Sequence, residues 1–347
     1  MITIDDVRAA AKSIAGIAVR TPLLPSWTIG PDLWLKPENL QPVGAFKVRG
    51  AVHALMSLPS EAQAAGVITH SSGNHGQALA YAARVVGAPV VVVIPEGAPA
   101  VKVDAIRALG AEVVLVPPAE RESRTAELAA ARRLTIIPPY DHRDIIAGQG
   151  TVGLEIAEDL PEVEVVLVPV GGGGLASGVA TAIKALVPDA AVIGVEPALA
   201  GDAADSLAQG RLRPWSTEER YRTIADGLRT ALSELTFAHL RERLDGIVTV
   251  SEEEILTTVP VLARSARLVA EPSGAVTVAA YLHHRAELPA GRTVAVISGG
   301  NIDPALLAGL LISEELDTRP DQPASDTRPD QPASTDGADR RDDPHRP

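Results

Sequence analysis

The sequence predicts an α/β protein of two lobes, each an open, largely parallel sheet covered by helices. Three observations predict it. Short β-branched runs recur along the chain, Ala-rich segments bounded by Gly or Pro lie between several of them, and 347 residues suffice for a substantial, bilobed core. β-Branched side chains suit strands buried on both faces, whereas Ala loses little entropy in a helix, so their alternation favours parallel sheets under helices.

In chain order, buried strands are expected at "VVVVI" (90–94), "EVVLV" (112–116), "VEVVLVPV" (163–170), "AVIGVE" (191–196) and "TVAVIS" (293–298). Segments such as "GQALAYAARVVG" (76–87) and "LASGVATAIKALVP" (175–188) have helical composition with Gly or Pro at their ends. Aromatic residues are only 3%, so Ala, Val, Leu and Ile must fill the core. Residues 317–347 change character: "DTRPDQPAS" occurs twice in succession with almost nothing large and apolar to bury, which predicts a disordered tail.

A formal charge of −13 repels phosphate backbones and argues against nucleic-acid partners. The absence of cysteine removes disulfides, thiolate metal sites and thiol nucleophiles, and fits a reducing compartment. The N-terminus lacks a signal-peptide pattern and no run is long and apolar enough to span a bilayer, so a cytoplasmic protein without membrane contact is expected.

Chemistry concentrates in four places. In "VLVPVGGGGLASG" a strand runs into Gly171, Gly172, Gly173 and Gly174, then a helix begins near Leu175. Backbone N–H groups unobstructed by β-carbons can surround a phosphate there, helped by the helix N-terminus. The same residues satisfy a loose dinucleotide pattern, Gly171-x-Gly173-x-x-Ala176 with Glu196 ending the next strand, which leaves a nicotinamide enzyme open.

"THSSGNHGQALA" gathers Thr69, His70, Ser71, Ser72, Asn74 and His75 before an apolar helix, a turn suited to a small carboxylate. "SGGNID" places Ser298 and Asn301 after an apolar strand, where open α/β sheets bind ligands. Finally, Lys47 follows Phe46 among small and apolar residues in "PVGAFKVRG". A phosphate cradle, a carboxylate turn and an amine able to form an imine are thus on one chain.

With "KPENLQPVGAFKVRGA", "THSSGNHGQALAYAA", "IAGQGTVGLEI", "VPVGGGGLASG", "TIADGLRT" and "SGGNID" in this order, the chain from about Thr21 to Leu311 resembles the threonine and serine dehydratases (ammonia-lyases) and serine racemases. These belong to the second structural class of pyridoxal-phosphate enzymes, with the tryptophan synthase beta-like fold. The resemblance implies that Lys47 bonds covalently to the cofactor aldehyde and that its freed amine takes the substrate α-proton. It implies that Phe46 and Leu175 line the cofactor site, Asn74 bonds the ring oxygen, Gly171 to Gly174 hold the phosphate, and Ser298 faces the pyridine nitrogen. Ser71, Asn74, His75 and, in "ADGLRT", Thr230 would bind the substrate carboxylate.

Ser72, on the cofactor face opposite Lys47, would permit racemisation by a second base. Glu196, the Ala200 carbonyl and Asp202 fall at the spacing of the family's divalent-cation site, with Mg²⁺ expected. Arg124 resembles an arginine that reaches a second substrate carboxylate, which raises 3-hydroxyaspartate as a substrate. The resemblance further implies a homodimer, a larger lobe from 1–65 and 143–316 and a smaller substrate-carboxylate lobe from 66–142; with no second α/β unit following the catalytic region in this sequence, control through an appended regulatory domain is not expected. The expected reaction is loss of ammonia from a β-hydroxy amino acid, L-threonine or L-serine, to give a 2-oxo acid, with serine racemisation and 3-hydroxyaspartate cleavage as alternatives.

Overall fold

The computed structural model describes residues 1–312 except 72 and 99, so Ser72 and the tail expected at 317–347 lie outside the described residues. The strands are β1 (Leu24–Pro25), β2 (Leu33–Pro37), β3 (Val67–His70), β4 (Val90–Pro95), β5 (Glu112–Val116), β6 (Thr135–Ile136), β7 (Val165–Pro169), β8 (Ala191–Pro197), β9 (Gly246–Val250) and β10 (Thr293–Ile297). They form a six-stranded sheet in the order β1-β2-β10-β7-β8-β9 and a four-stranded sheet in the order β5-β4-β3-β6. Every pairing is parallel except β1 with β2.

The apolar runs are continuous because helices cover both faces. Every residue of β7 and β10 is buried, and each such Val, Leu or Ile contributes roughly 1.5–3 kcal/mol relative to exposure. β5 departs from expectation. It is an edge strand with Glu112 exposed and Leu115 47% exposed, so "EVVLV" is not doubly covered.

With few aromatics, close helix approach substitutes for bulk. The helices Arg143–Asp159 and Gly174–Leu186 cross at Gly150 and Gly178. A Cβ on Gly178 would strike the Gly150 nitrogen and the Ile146 carbonyl, so glycine is what lets the backbones touch.

A buried ionic cluster ties β2 to two helices. Lys36 Nζ donates to Glu155 at 2.6 Å and to the Thr21 carbonyl at 2.7 Å. The Arg49 guanidinium forks onto Glu38 at 2.7 and 2.8 Å and onto Glu155 at 2.6 and 2.8 Å. Two cations face two carboxylates, each charge hydrogen-bonded, which is the condition under which buried ions are tolerated. Arg49 lies in the first turn of the helix Lys47–Met56, so the cluster fixes the element that starts at Lys47.

Candidate active site

Parallel strands end on the same side, and the loops after β3, β7 and β10 converge on a cavity of about 390 Å³. The residues before Lys47 are stitched to the end of β10: Phe46 N–H donates to the Ser298 carbonyl at 3.1 Å and Ala45 bridges Gly299. Lys47 Nζ therefore enters the cavity, donating to the Pro139 carbonyl at 2.7 Å and lying 5.0 Å from the Phe46 ring centre. Protein encloses it on every side but the cavity, and this desolvation lowers its pKa from 10.5 to about 8. About a fifth is then neutral at pH 7.4, far more than of an exposed lysine.

Across the cavity lies the glycine loop. Gly173 has φ +84°, which places the preceding backbone N–H groups outside helical geometry before the helix at Gly174. An added Cβ at Gly172 would sit 2.5 Å from the Tyr140 ring, and one at Gly171 would sit 2.9 Å from Leu228 Cα and 3.3 Å from Thr230 Oγ1. The loop is thus clamped between Tyr140 and the segment carrying Thr230, and Leu175 is buried behind it. Amide groups at a helix start with no side chains in the way form an anion cradle.

The turn after β3 supplies a third side. Ser71, Gly73, Asn74 and His75 line the cavity, and the helix Asn74–Val86 has no side-chain N-cap. His75 is buried and neutral: Nε2 meets the Ile137 carbonyl at 3.0 Å, and burial, aided by the Lys47 charge, holds its pKa at about 3. Its imidazole is a packed hydrogen-bonding group at the cavity wall. Ser298 Oγ donates to the Ser273 carbonyl at 3.3 Å, leaving a neutral hydroxyl at the end of β10.

Thr230, Leu175, Phe46 and the glycine loop are brought together with Lys47 and Ser298 as expected; Arg124 is not. Its guanidinium pairs with Glu127 at 2.6 Å, away from the cavity lining. One turn earlier on the same helix, Arg121 lines the cavity beside His70. Its Nε is buried with no hydrogen-bond partner among the described residues.

Glu271 was not anticipated. It is buried at the cavity, its Oε1 accepts from Asn74 Nδ2 at 2.7 Å, and Asn74 Oδ1 accepts from Asn301 Nδ2 at 2.8 Å. Burial, reinforced by Asp226, raises the Glu271 pKa to about 7. The signal for it was an acid stranded inside the apolar run "LVAEPSGAV". Lys102 and Asp226 pair at 2.8 Å on the cavity rim.

Further along β8, both Glu196 oxygens accept backbone N–H groups, from Ala203 at 3.1 Å and Ala204 at 2.8 Å. Burial raises its pKa well above the ordinary value and raises that of Asp202 to about 6. Ala200 is buried beside them. Two buried acids that resist ionisation fit a divalent cation, which would relieve that cost; among the described residues no three acidic or imidazole side chains cluster, so backbone oxygen would have to complete the shell.

A reactive amine, an anion cradle and a helix start aimed at a small carboxylate, gathered where parallel strands end, define an α/β enzyme that binds a phosphorylated carbonyl cofactor and an amino acid. The family of pyridoxal-phosphate dependent enzymes matches residues 14–299, and the chain belongs to it. It is 40% identical over 318 residues to serine racemase of Dictyostelium discoideum, covering 89% of this chain and 98% of that protein. A crystal structure of that racemase superposes with a TM-score of 0.81 over 87% of this chain and 99% of that one. The chain is also 39% identical to L-threo-3-hydroxyaspartate ammonia-lyase of Saccharomyces cerevisiae, covering 90% and 97%. A crystal structure of a threonine deaminase from T.th. is 44% identical, with a TM-score of 0.80 over 87% and 99%.

The chain is accordingly a pyridoxal-phosphate enzyme of the lyase and racemase group with the fold expected of it, and the nicotinamide reading of the glycine loop falls away. The cavity fits the cofactor: a Cβ-free cradle suited to phosphate and a neutralisable amine share it, with the Ser298 hydroxyl at its wall.

Proposed function

We propose that the protein is an ammonia-lyase acting on a β-hydroxy amino acid, L-threonine or L-serine, and releasing a 2-oxo acid and ammonia. The observation that carries this reading is Lys47: an amine whose pKa burial lowers to about 8, in one cavity with the glycine cradle and the Ser71 to Asn74 turn.

When bound through Lys47, pyridoxal phosphate supplies an electron sink for the charge left on Cα as the α-proton departs. The chain's residues do the rest. Backbone N–H groups of Gly171 to Gly174 hold the phosphate, while Ser71, Asn74 and the N–H groups opening the helix Asn74–Val86 hold the substrate carboxylate. Thr230 flanks the cradle. The Lys47 amine, which donates to the Pro139 carbonyl in this structure, would take the α-proton once it is no longer bonded to the cofactor. Ser298 offers the ring nitrogen only a neutral hydroxyl, so negative charge is not stored there for long, and prompt loss of the β-hydroxyl competes well with reprotonation. Ser72 is proposed as the second base that would allow some racemisation.

A second reading, cleavage of 3-hydroxyaspartate, rests on Arg121, whose buried Nε lacks a partner among the described residues at the cavity wall. A second carboxylate would supply that partner in a charge-assisted bond. Arg121→Ala is expected to lower kcat/KM for 3-hydroxyaspartate about 100-fold while changing that for L-serine less than about threefold. Equal losses on both would remove this reading.

The proposal extends to Mg²⁺ at Glu196, the Ala200 carbonyl and Asp202, to a cytoplasmic homodimer, and to two lobes that close on substrate. Among the described residues no helix is long and apolar enough to cross a membrane. The test is incubation with pyridoxal phosphate, Mg²⁺ and each candidate amino acid, measuring ammonia, 2-oxo acid and D-amino acid together with Lys47→Ala alongside. 2-Oxo acid that depends on Lys47 supports the lyase; D-serine formed faster than pyruvate would replace it with a racemase.

A further inference from the structure

Glu271 has no part in the reading above, and its place in the chain is unusual. It is the N-cap residue of the helix Pro272–His283, a position that favours Ser, Thr, Asp or Asn, yet its side chain makes no capping bond. Its backbone is fixed to the end of β10, where its N–H donates to the Gly299 carbonyl at 3.1 Å. The buried carboxyl group turns to the cavity instead.

A row of hydrogen bonds fixes which end of each amide beside it faces which neighbour, because the row starts at a backbone carbonyl. The Val43 carbonyl can only accept, so the group 2.9 Å from it is the Asn301 amide nitrogen. The second Nδ2 hydrogen of Asn301 goes to Asn74 at 2.8 Å, and the Asn74 atom that receives it is Oδ1. Asn74 Nδ2 therefore lies on the other side and gives one hydrogen to Glu271 Oε1 at 2.7 Å. Its remaining hydrogen has no acceptor among the described residues, and Asn74 lines the cavity. An acceptor on a ligand in the cavity would satisfy it.

Two glycines make room for the row. A Cβ on Gly299 would lie 2.4 Å from Glu271 Oε1 and 3.2 Å from Asn74 Nδ2, and one on Gly44 would lie 2.6 Å from Asn301 Oδ1. A buried acid beside β10 thus reaches the start of the helix Asn74–Val86, which follows β3 of the other sheet.

We propose that Glu271 is a positioning residue for the cofactor: together with Asn301 it fixes the Asn74 amide so that the remaining Nδ2 hydrogen meets the oxygen on the cofactor ring. Glu271 acts through Asn74, and what it contributes is an acceptor. Without one at position 271, the Asn74 amide is held at one end only and its Nδ2 swings away from the ring. The inference rests on cofactor binding and not on which amino acid is the substrate.

The test compares pyridoxal phosphate with 3-deoxypyridoxal phosphate, which lacks the ring oxygen, by equilibrium dialysis. Asn74→Ala, Asn301→Ala and Glu271→Leu should each weaken pyridoxal phosphate about tenfold, the loss of one hydrogen bond, while changing the 3-deoxy compound less than about twofold. Glu271→Gln, which keeps an acceptor oxygen, should stay within about threefold of the parent on both. Glu271→Leu combined with Asn74→Ala should bind pyridoxal phosphate no more weakly than Asn74→Ala alone, because one acts through the other. The ratio of the two affinities is read on the protein that binds, so partial unfolding does not enter it. Glu271→Met, unbranched and longer, gives the same reading if Glu271→Leu does not fold. Equal losses on both compounds would mean that Glu271 only supports the fold and would overturn the proposal. So would Glu271→Gln as weak as Glu271→Leu, or an unchanged preference in Asn74→Ala.

Discussion

Lys47 and Glu271 show how enclosure sets ionisation. Desolvation shifts the Lys47 amine, which should titrate near pH 8 in apoenzyme. The rate of Lys47 labelling by trinitrobenzenesulfonate is expected to rise with pH and level off above about 8, where an exposed lysine would keep rising past pH 10. Glu271 is shifted the other way, from 4.5 to about 7. Between those values the folded state holds a proton that the unfolded state has released, so the contribution of this group to stability is complete below about pH 4.5 and lost as pH rises through 7. Glu271→Gln should therefore gain stability relative to the parent on going from pH 5.5 to pH 8.5, by about 2 kcal/mol, in urea unfolding of the apoenzyme. A pH-independent difference would mean that Glu271 does not titrate as its surroundings imply.

The glycine loop is an element whose function lies in what it lacks. Because a Cβ at Gly172 would be 2.5 Å from the Tyr140 ring, Gly172→Ala must displace either the ring or the cradle. Overpacking of this kind costs about 1–3 kcal/mol. Cofactor affinity, measured by equilibrium dialysis with pyridoxal phosphate, is expected to fall tenfold or more, each tenfold being about 1.4 kcal/mol. Affinity unchanged in Gly172→Ala would show that this backbone is not the phosphate cradle. The helix Arg121–Arg132 shows a limit of reading elements from sequence: Arg121 and Arg124 lie one turn apart, and nothing in "RESRTAEL" says which faces the cavity. That choice is made by how the helix packs.

Across the chain, the Lys36, Arg49, Glu38 and Glu155 cluster joins β2, the helix carrying Lys47 and the helix Arg143–Asp159, segments separated by up to 119 positions. Glu155→Gln would leave Lys36 and Arg49 short of a counter-charge in a dry interior, at a cost of about 3–5 kcal/mol in urea unfolding. Pairing it with Lys36→Met should recover part of that loss, because the uncompensated cation is removed. A loss below about 1 kcal/mol would place the cluster with exposed ion pairs such as Lys102–Asp226, whose worth is that small. At Glu196 and Asp202, added Mg²⁺ is expected to raise the melting temperature more at pH 8 than at pH 5, since ligand carboxylates must be ionised. Glu196→Gln should abolish the difference.

Strand and helix alternation, the glycine loop at a helix start, the polar turn after β3 and the unusual setting of Lys47 were legible in the residues because each depends on local chemistry: β-branching, missing β-carbons, helix starts, an amine in apolar company. β2 was obscured because its Lys36 looks like a surface charge until Glu155 arrives from another helix to neutralise it. The partner of Asn74, the side of the helix that bears Arg121 and the edge position of β5 were equally out of reach. Each depends on which distant groups share a space, and burial, which shifts pKa values and selects hydrogen-bond partners, exists only once those groups have packed together.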